Sequence, residues 1–184
     1  MGLSVYNYQL VKQESRNDIF DCLIQYAFQV TGNSDAPPID YTFNFSRYKS
    51  YLYITDYFPT LWVHHVDRAN KLLSVEENQA VNFRKITLTC FYIFHQEIST
   101  LDENAAFVAC GSYLHGEKSL PEIKISRKLK LYLAILKPIA ENLGYRIVEI
   151  FNLNAFVMIK DSSGIPDEQI RNDYQEFKER GLVN

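Results

Sequence analysis

A chain of 184 residues with 47% hydrophobic and 22% charged residues, only 7 Gly and 6 Pro, has the make-up of an ordinary soluble domain. At that length about 70% of the unfolded surface can be buried, so no metal or disulfide staple is required. A net charge of −3 lacks the cationic footprint of a nucleic-acid-binding domain, and no apolar stretch approaches the ~20 residues that span a bilayer.

Cys22, Cys90 and Cys110 are odd in number, far apart and set in apolar runs, which is how reduced core thiols look. The first ten residues carry no basic start and no long apolar run, so a secretory signal is not expected. A cytoplasmic protein with no membrane partner follows. No linker, repeat or low-complexity tract interrupts the chain, and a single domain over residues 1–184 is expected.

Taken in chain order, Leu3 to Val11 alternates as a strand does. Ser15 and Asp18 suit a helix start, and Ile19, Leu23, Tyr26, Ala27 and Val30 recur at helical spacing until Gly32 and Asn33, which predicts a helix. Ile39 to Ser46 alternates apolar and polar over its whole length and predicts a strand. The bend Arg47 to Ser50 then leads into Tyr51 to Thr55, so the two runs read as a hairpin.

Leu61, Trp62, His65, Ala69, Leu72 and Leu73 lie on one helical face, and Ser74-Val75-Glu76-Glu77 reads as a capping box. Ile86 to Phe94 is so rich in β-branched and aromatic residues that a buried strand is expected. Residues 102–115 fit either a helix capped by Asp102 or a strand through Ala105 to Tyr113, with the strand preferred. Ser126 to Gly144 is an amphipathic helix with Leu129, Tyr132, Leu133, Leu136, Ile139, Ala140 and Leu143 inward. Arg146 to Phe151 and Ala155 to Lys160 form a hairpin, and Pro166 opens a last helix with Ile170, Tyr174 and Phe177 inward. The sum is an α+β fold: a two-layer domain with a mixed or antiparallel sheet of hairpins, helices packed on it, and helices alternating with pairs of strands.

No catalytic constellation emerges. His64 and His65 point about 100° apart on a helix, and His95 and His115 stand far from them, so neither a metal site nor a cofactor is expected. There is no Gly-x-Ser-x-Gly elbow, no phosphate loop and no dinucleotide fingerprint.

Two features point to binding. If Ile39, Tyr41, Phe43 and Phe45 face the core with Leu52 and Ile54, then Tyr51, Tyr53 and Tyr57 form a stripe on the opposite face beside Asp40, Thr42 and Asn44. Tyrosines of that kind favour protein interfaces. The acidic chain ends would steer a basic partner. The second feature is the one basic segment, residues 121–160 at +4, where Lys124, Arg127 and Lys128 open the predicted helix and could hold phosphates.

The span Leu120 to Gly164 resembles the second half of GNAT-type N-acetyltransferases. The residues concerned are Pro121-Glu122, Ala140-Glu141-Asn142-Leu143-Gly144-Tyr145, Asn152, Ala155-Phe156 and Gly164. The resemblance implies a coenzyme A pyrophosphate cradled before the helix, where this chain reads Lys124-Ile125-Ser126-Arg127-Lys128-Leu129. The strand–helix–strand–strand order expected over Leu3 to Tyr57, and again over Ala105 to Lys160, is similar to gyrase-inhibitor-like ligand-binding domains, with Glu149 beside Phe151 as their acidic residue. The sequence thus favours a non-catalytic protein-binding module, an inhibitor or immunity-type protein that occludes a partner such as a toxin. The alternatives are an acyl-CoA-dependent N-acyltransferase with a degenerate pyrophosphate turn and a small-ligand-binding domain.

Overall fold

Strands β3 (Ile39–Tyr48) and β4 (Leu52–Pro59) pair antiparallel around a turn in which Lys49 and Ser50 both have positive φ, 49° and 66°. That is the twist a tight hairpin needs, and the expected hairpin is present. The computed structural model describes residues 4–31, 38–62, 83–111 and 125–180. The helix expected over Leu61 to Leu73 and the capping box at Ser74 fall outside them, apart from a short 3₁₀ turn over Thr60–Trp62.

The expected helix over Ile19 to Val30 is instead a strand, β2 (Cys22–Val30), inserted between β1 (Tyr8–Ser15) and β3. The stretch satisfies both periods, with Tyr26 and Val30 common to the two. Cys22, Ile24, Tyr26, Phe28 and Val30 are all buried while their odd-numbered neighbours are not, so a period of two fits as well as 3.6. Nine consecutive register pairs with β3 decided the matter. Asp18, expected in a helix start, accepts the Phe20 amide at 2.8 Å and shapes the β1–β2 turn.

Ile86 to Phe94 is not a strand either. It belongs to α1 (Phe83–Ile93), which runs on into a π-helical turn over Phe94–Ile98. Residues 86 to 91 are buried without a break, and a helix that is apolar all round is one that lies inside. Its β-branched Thr89 bonds back to the Lys85 carbonyl at 2.7 Å and accepts the Tyr6 amide at 2.9 Å. The ambiguous stretch resolves as the preferred strand, β5 (Ala106–Cys110), with Asp102 shaping a turn by accepting the Asn104 amide.

From there the elements follow expectation: α2 (Arg127–Asn142), β6 (Tyr145–Ile150), β7 (Ala155–Lys160) and α3 (Asp167–Glu179), except that Leu143, expected inward, is the C-cap of α2 and is exposed. Gly144 ends α2 with φ 75°, a left-handed conformation that glycine adopts without strain.

The seven strands form one mixed sheet in the order β1-β2-β3-β4-β5-β7-β6, antiparallel throughout except for β4 beside β5. The α+β single-sheet architecture is as expected. Helices cover both faces, however, giving three layers where two were expected. On one face α1 and α2 bury Phe91, Phe94, Leu129 and Leu136 against Tyr26, Phe43, Phe45, Tyr53, Phe107 and Tyr145. On the other, α3 buries Ile170, Tyr174 and Phe177 against Leu52, Val108, Val157 and Ile159. Phe45 is the hub of the first layer, in ring contact with Phe43 at 4.4 Å and with Tyr26, Tyr53, Phe94 and Phe107 at 6.1 to 6.5 Å.

Because β1 to β4 run consecutively with no helix among the described residues between them, the first strand–helix–strand–strand unit does not exist. The second does, as β5, α2, β6 and β7. No described helix is long and apolar enough to cross a membrane. All three cysteines are free thiols.

Candidate functional site

The sheet has one parallel junction, and it is short. β4 and β5 keep register only over Leu52 with Ala106, Tyr53 with Phe107 and Ile54 with Val108. The Thr55 hydroxyl donating to the Val108 carbonyl at 2.7 Å is a further tie, and beyond it the carboxyl ends of both strands run on without register to each other. β5 keeps its ladder with β7 throughout.

The start of α2 is tied to this end of β5. Ser126 is the N-cap, accepting the Leu129 amide at 3.2 Å. Its own amide donates to Asn154 Oδ1 at 2.8 Å, while Asn154 Nδ2 donates to the Gly111 carbonyl at 2.7 Å. The Gly111 amide donates to the Asn154 carbonyl at 2.8 Å. Glycine is demanded here by a close approach: a Cβ on Gly111 would lie 2.3 Å from Ser126 Oγ.

Held in this way, the first turn of α2 carries Arg127, Lys128 and Lys130 and no acidic residue. That distribution opposes the helix dipole, whose positive end favours anions. Arg127 and Lys130 are exposed; Lys128 is half-buried. Lys128 Nζ lies 5.4 Å from the Tyr57 ring of β4 and 5.7 Å from the Tyr132 ring one turn along α2. The two tyrosine hydroxyls meet at 2.7 Å, and Phe83 of α1 stacks on Tyr132 with centroids 5.3 Å apart. The result is a cationic, hydroxyl-bearing corner where α1, α2 and β4 converge beside the end of β5.

The residues singled out in the sequence scatter across the molecule. Tyr57 and Lys128, assigned to two different readings, are brought together. Lys124 lies outside the described residues. The solvent-facing tyrosine stripe is overturned by the hairpin register. Phe43 pairs with Tyr57 and Arg47 with Tyr53, which sets Tyr53 and Tyr57 on the same face as Phe43 and Phe45 and sends Leu52 and Ile54 to the α3 side. Tyr53 is 4% exposed and Tyr51 7%. The Tyr51 hydroxyl donates to Asp173 of α3 at 2.6 Å, and Lys49 bridges Asp173 and Glu176 at 2.7 and 2.5 Å, clamping the hairpin turn to that helix. Asp40 is exposed and accepts Gln29 Nε2 at 3.0 Å, away from the tyrosines it was grouped with. Sequence reasoning missed Asn154 and Gly111, and took Tyr132 for core alone. Their only signals were an asparagine in a tight turn and a glycine directly after an apolar strand.

Other groups serve packing. His95 Nδ1 is 2.8 Å from the Tyr145 hydroxyl, which donates to the buried Ser99 Oγ at 2.6 Å; burial and then the Lys160 charge hold the imidazole below its ordinary pKa. Cys110 meets the Tyr174 hydroxyl at 3.1 Å, and burial raises both their pKa values. Glu149 lines a 410 Å³ cleft with Leu133, Ala134, Lys137, Pro138 and Glu141, a lining without aromatic residues. Among the described residues, no three of His, Cys, Asp and Glu stand close enough to hold a metal ion.

The stretch Ala155 to Lys160, which falls within the N-acetyltransferase resemblance, is the fully inserted strand β7. Comparison with known proteins adds no identity: no family model matches the chain, and no curated protein or solved structure matches it significantly.

Proposed function

We propose that this chain is a binding protein for a phosphate-bearing small ligand of the coenzyme A type, seated where the first turn of α2 meets the carboxyl end of β5. One observation carries the reading. Three cations crowd a helix N-terminus where acidic residues are the stabilising choice, and one of them is propped on two tyrosine rings. An anion at this point would meet cationic side chains at the positive end of the helix dipole. The chemistry needed is positioning and charge neutralisation.

The test is a thermal-shift titration with acetyl-CoA. A ligand that binds only the folded state stabilises it by about 2.7 kcal/mol at 100 times its Kd, which is several degrees for a chain of this size. A saturable rise that disappears in Arg127→Glu and Lys128→Glu supports the reading. An unchanged melting temperature up to millimolar ligand overturns it.

A second reading, a single-domain cytoplasmic inhibitor or immunity-type protein that occludes a partner protein of basic character, is supported by a different observation. The edge strand β1 presents Leu10 at 55% exposure and Val11 at 53%, apolar surface of the sort that pairs with another chain. Retention of one specific partner from the host extract, lost in Val11→Lys, would favour this reading over the first.

A further inference from the structure

The sheet ends in two unlike edges. At one, β6 has Tyr145, Val148 and Ile150 buried, and its Glu149 carbonyl accepts Arg171 Nε of α3 at 3.3 Å. At the other, no described strand pairs with the outer side of β1, and six of its eight residues are exposed. An edge of this kind is a template for a further strand. The register of β1 with β2 shifts between Leu10 and Lys12, which makes Val11 the extra residue of a β-bulge, and is regular from Lys12 to Ser15. Lys12 and Glu14 stand two apart on one face of that regular stretch, opposite Gln25 and Leu23 of β2, with Nζ 2.6 Å from Oε2.

We infer that β1 is a homodimerisation edge: two copies of this chain join β1 to β1, antiparallel about a two-fold axis at Gln13, and continue the sheet across both molecules. What selects a second copy is charge. An axis through Gln13 sets each residue opposite the one equally far beyond Gln13 in the other strand, so Lys12 meets Glu14 of the second copy and Glu14 meets its Lys12. The four charges then alternate in sign around one face of the seam, with opposite Cβ atoms about 4.5–5.5 Å apart. The neighbouring axes do worse. Through Val11, Lys12 faces Leu10; through Lys12, that residue faces itself; through Glu14, the carboxylate faces itself and Lys12 faces Arg16. A lysine on an edge strand ordinarily discourages pairing. Here the carboxylate two residues on makes it half of a matched set, and the bulge lies outside the central stretch Lys12 to Glu14. The exposed Leu10 and Val11 flank that stretch and come under cover of the second copy. The inference is independent of the ligand reading.

The experiment uses the full chain and reads self-association by sedimentation velocity, at concentrations up to about 0.5 mM, which reaches the weak end of specific association. The wild type is compared with Lys12→Glu, with Glu14→Lys and with an equal mixture of the two. Both side chains are at the surface, so each variant should keep a cooperative melt. Lys12→Glu puts four carboxylates at the seam and Glu14→Lys four ammonium groups, so each alone should dimerise at least tenfold more weakly than the wild type. Mixing them sets acid against base at both pairs again, and the mixture should form a heterodimer within about threefold of the wild-type affinity. A wild-type chain that stays monomeric, single variants that dimerise as the wild type does, or a mixture no tighter than its components would each overturn the inference. Retention of a foreign protein at this edge by a monomeric chain would overturn it in favour of the second reading above. Should a single variant fail to fold, the double exchange of Lys12→Glu with Glu14→Lys takes its place. That chain keeps the complementarity and should dimerise as the wild type does, and a monomer there would also overturn the inference.

Discussion

The ammonium of Lys128 rests 5.4 Å from the ring of Tyr57, joining the first turn of α2 to the far half of β4 across the point where β4 and β5 cease to pair. The contact makes Lys128 both a strut and a charge. A half-buried cation over an aromatic face is worth about 0.5–1 kcal/mol, so Lys128→Ala should lower the melting temperature by no more than about 4 °C. The same variant should show a much smaller acetyl-CoA shift than the wild type. Differential scanning fluorimetry with and without ligand measures both.

Gly111 and Asn154 make the second prediction. Gly111→Ala places a methyl group 2.3 Å from Ser126 Oγ and under 3 Å from the Asn154 amide. Neither neighbour can yield without losing its hydrogen bonds, so the variant should be destabilised by about 1–3 kcal/mol. The urea midpoint should fall at unchanged slope. A wild-type midpoint would mean that the end of β5 and the start of α2 are not fixed together.

The hairpin register is open to a direct check. Tyr53 is in the first core layer against Phe45 and Phe94, so Tyr53→Ala should cost about 3 kcal/mol or more. Asp40→Ala, at an exposed site, should change stability by less than about 0.5 kcal/mol. A loss as small as that of Asp40→Ala would mean that Tyr53 is not packed against Phe45 and Phe94.

Stability should also depend on pH through His95. Burial and then Lys160 lower its folded-state pKa below the ordinary 6.5, so the unfolded chain binds this proton more readily. The folded state is therefore favoured above pH 6.5, and that advantage is lost as the pH falls through 6.5 toward the folded value. Urea midpoints at pH 7.5 and pH 5.5 should differ more for the wild type than for His95→Gln. Glu176, held below the usual carboxylate range chiefly by Lys49, contributes in a lower window: its share is present above about pH 4.5 and fades below it.

Two misread elements show where sequence reasoning stops. In Cys22 to Val30 the apolar residues satisfy a helical and an alternating pattern at once, because residue 26 and residue 30 belong to both. Only pairing with β3 separates them. In Ile86 to Phe94 the β-branched and aromatic residues express burial, and burial on every side suits a covered helix as well as a central strand. The hairpin was legible in both its strands, yet one residue of register moved Tyr53 from solvent to core. As for the candidate site, Arg127 and Lys128 stood out as charge in a basic segment, while Tyr132 looked like one more apolar helix position.

The sequence by itself determined the α+β class, the β3–β4 and β6–β7 hairpins, the amphipathic α2 and α3 with their inward residues apart from Leu143, and the three unpaired cysteines. These depend on local periodicity, turn residues and composition, which act over a few residues. Tertiary structure decided the identity of β2 and α1, the helices on both faces of the sheet, and the meeting of Tyr57, Lys128, Gly111 and Asn154. Those outcomes depend on which elements meet, and a contact such as that of Asn154 with Gly111, 43 positions apart, leaves no mark in either local pattern.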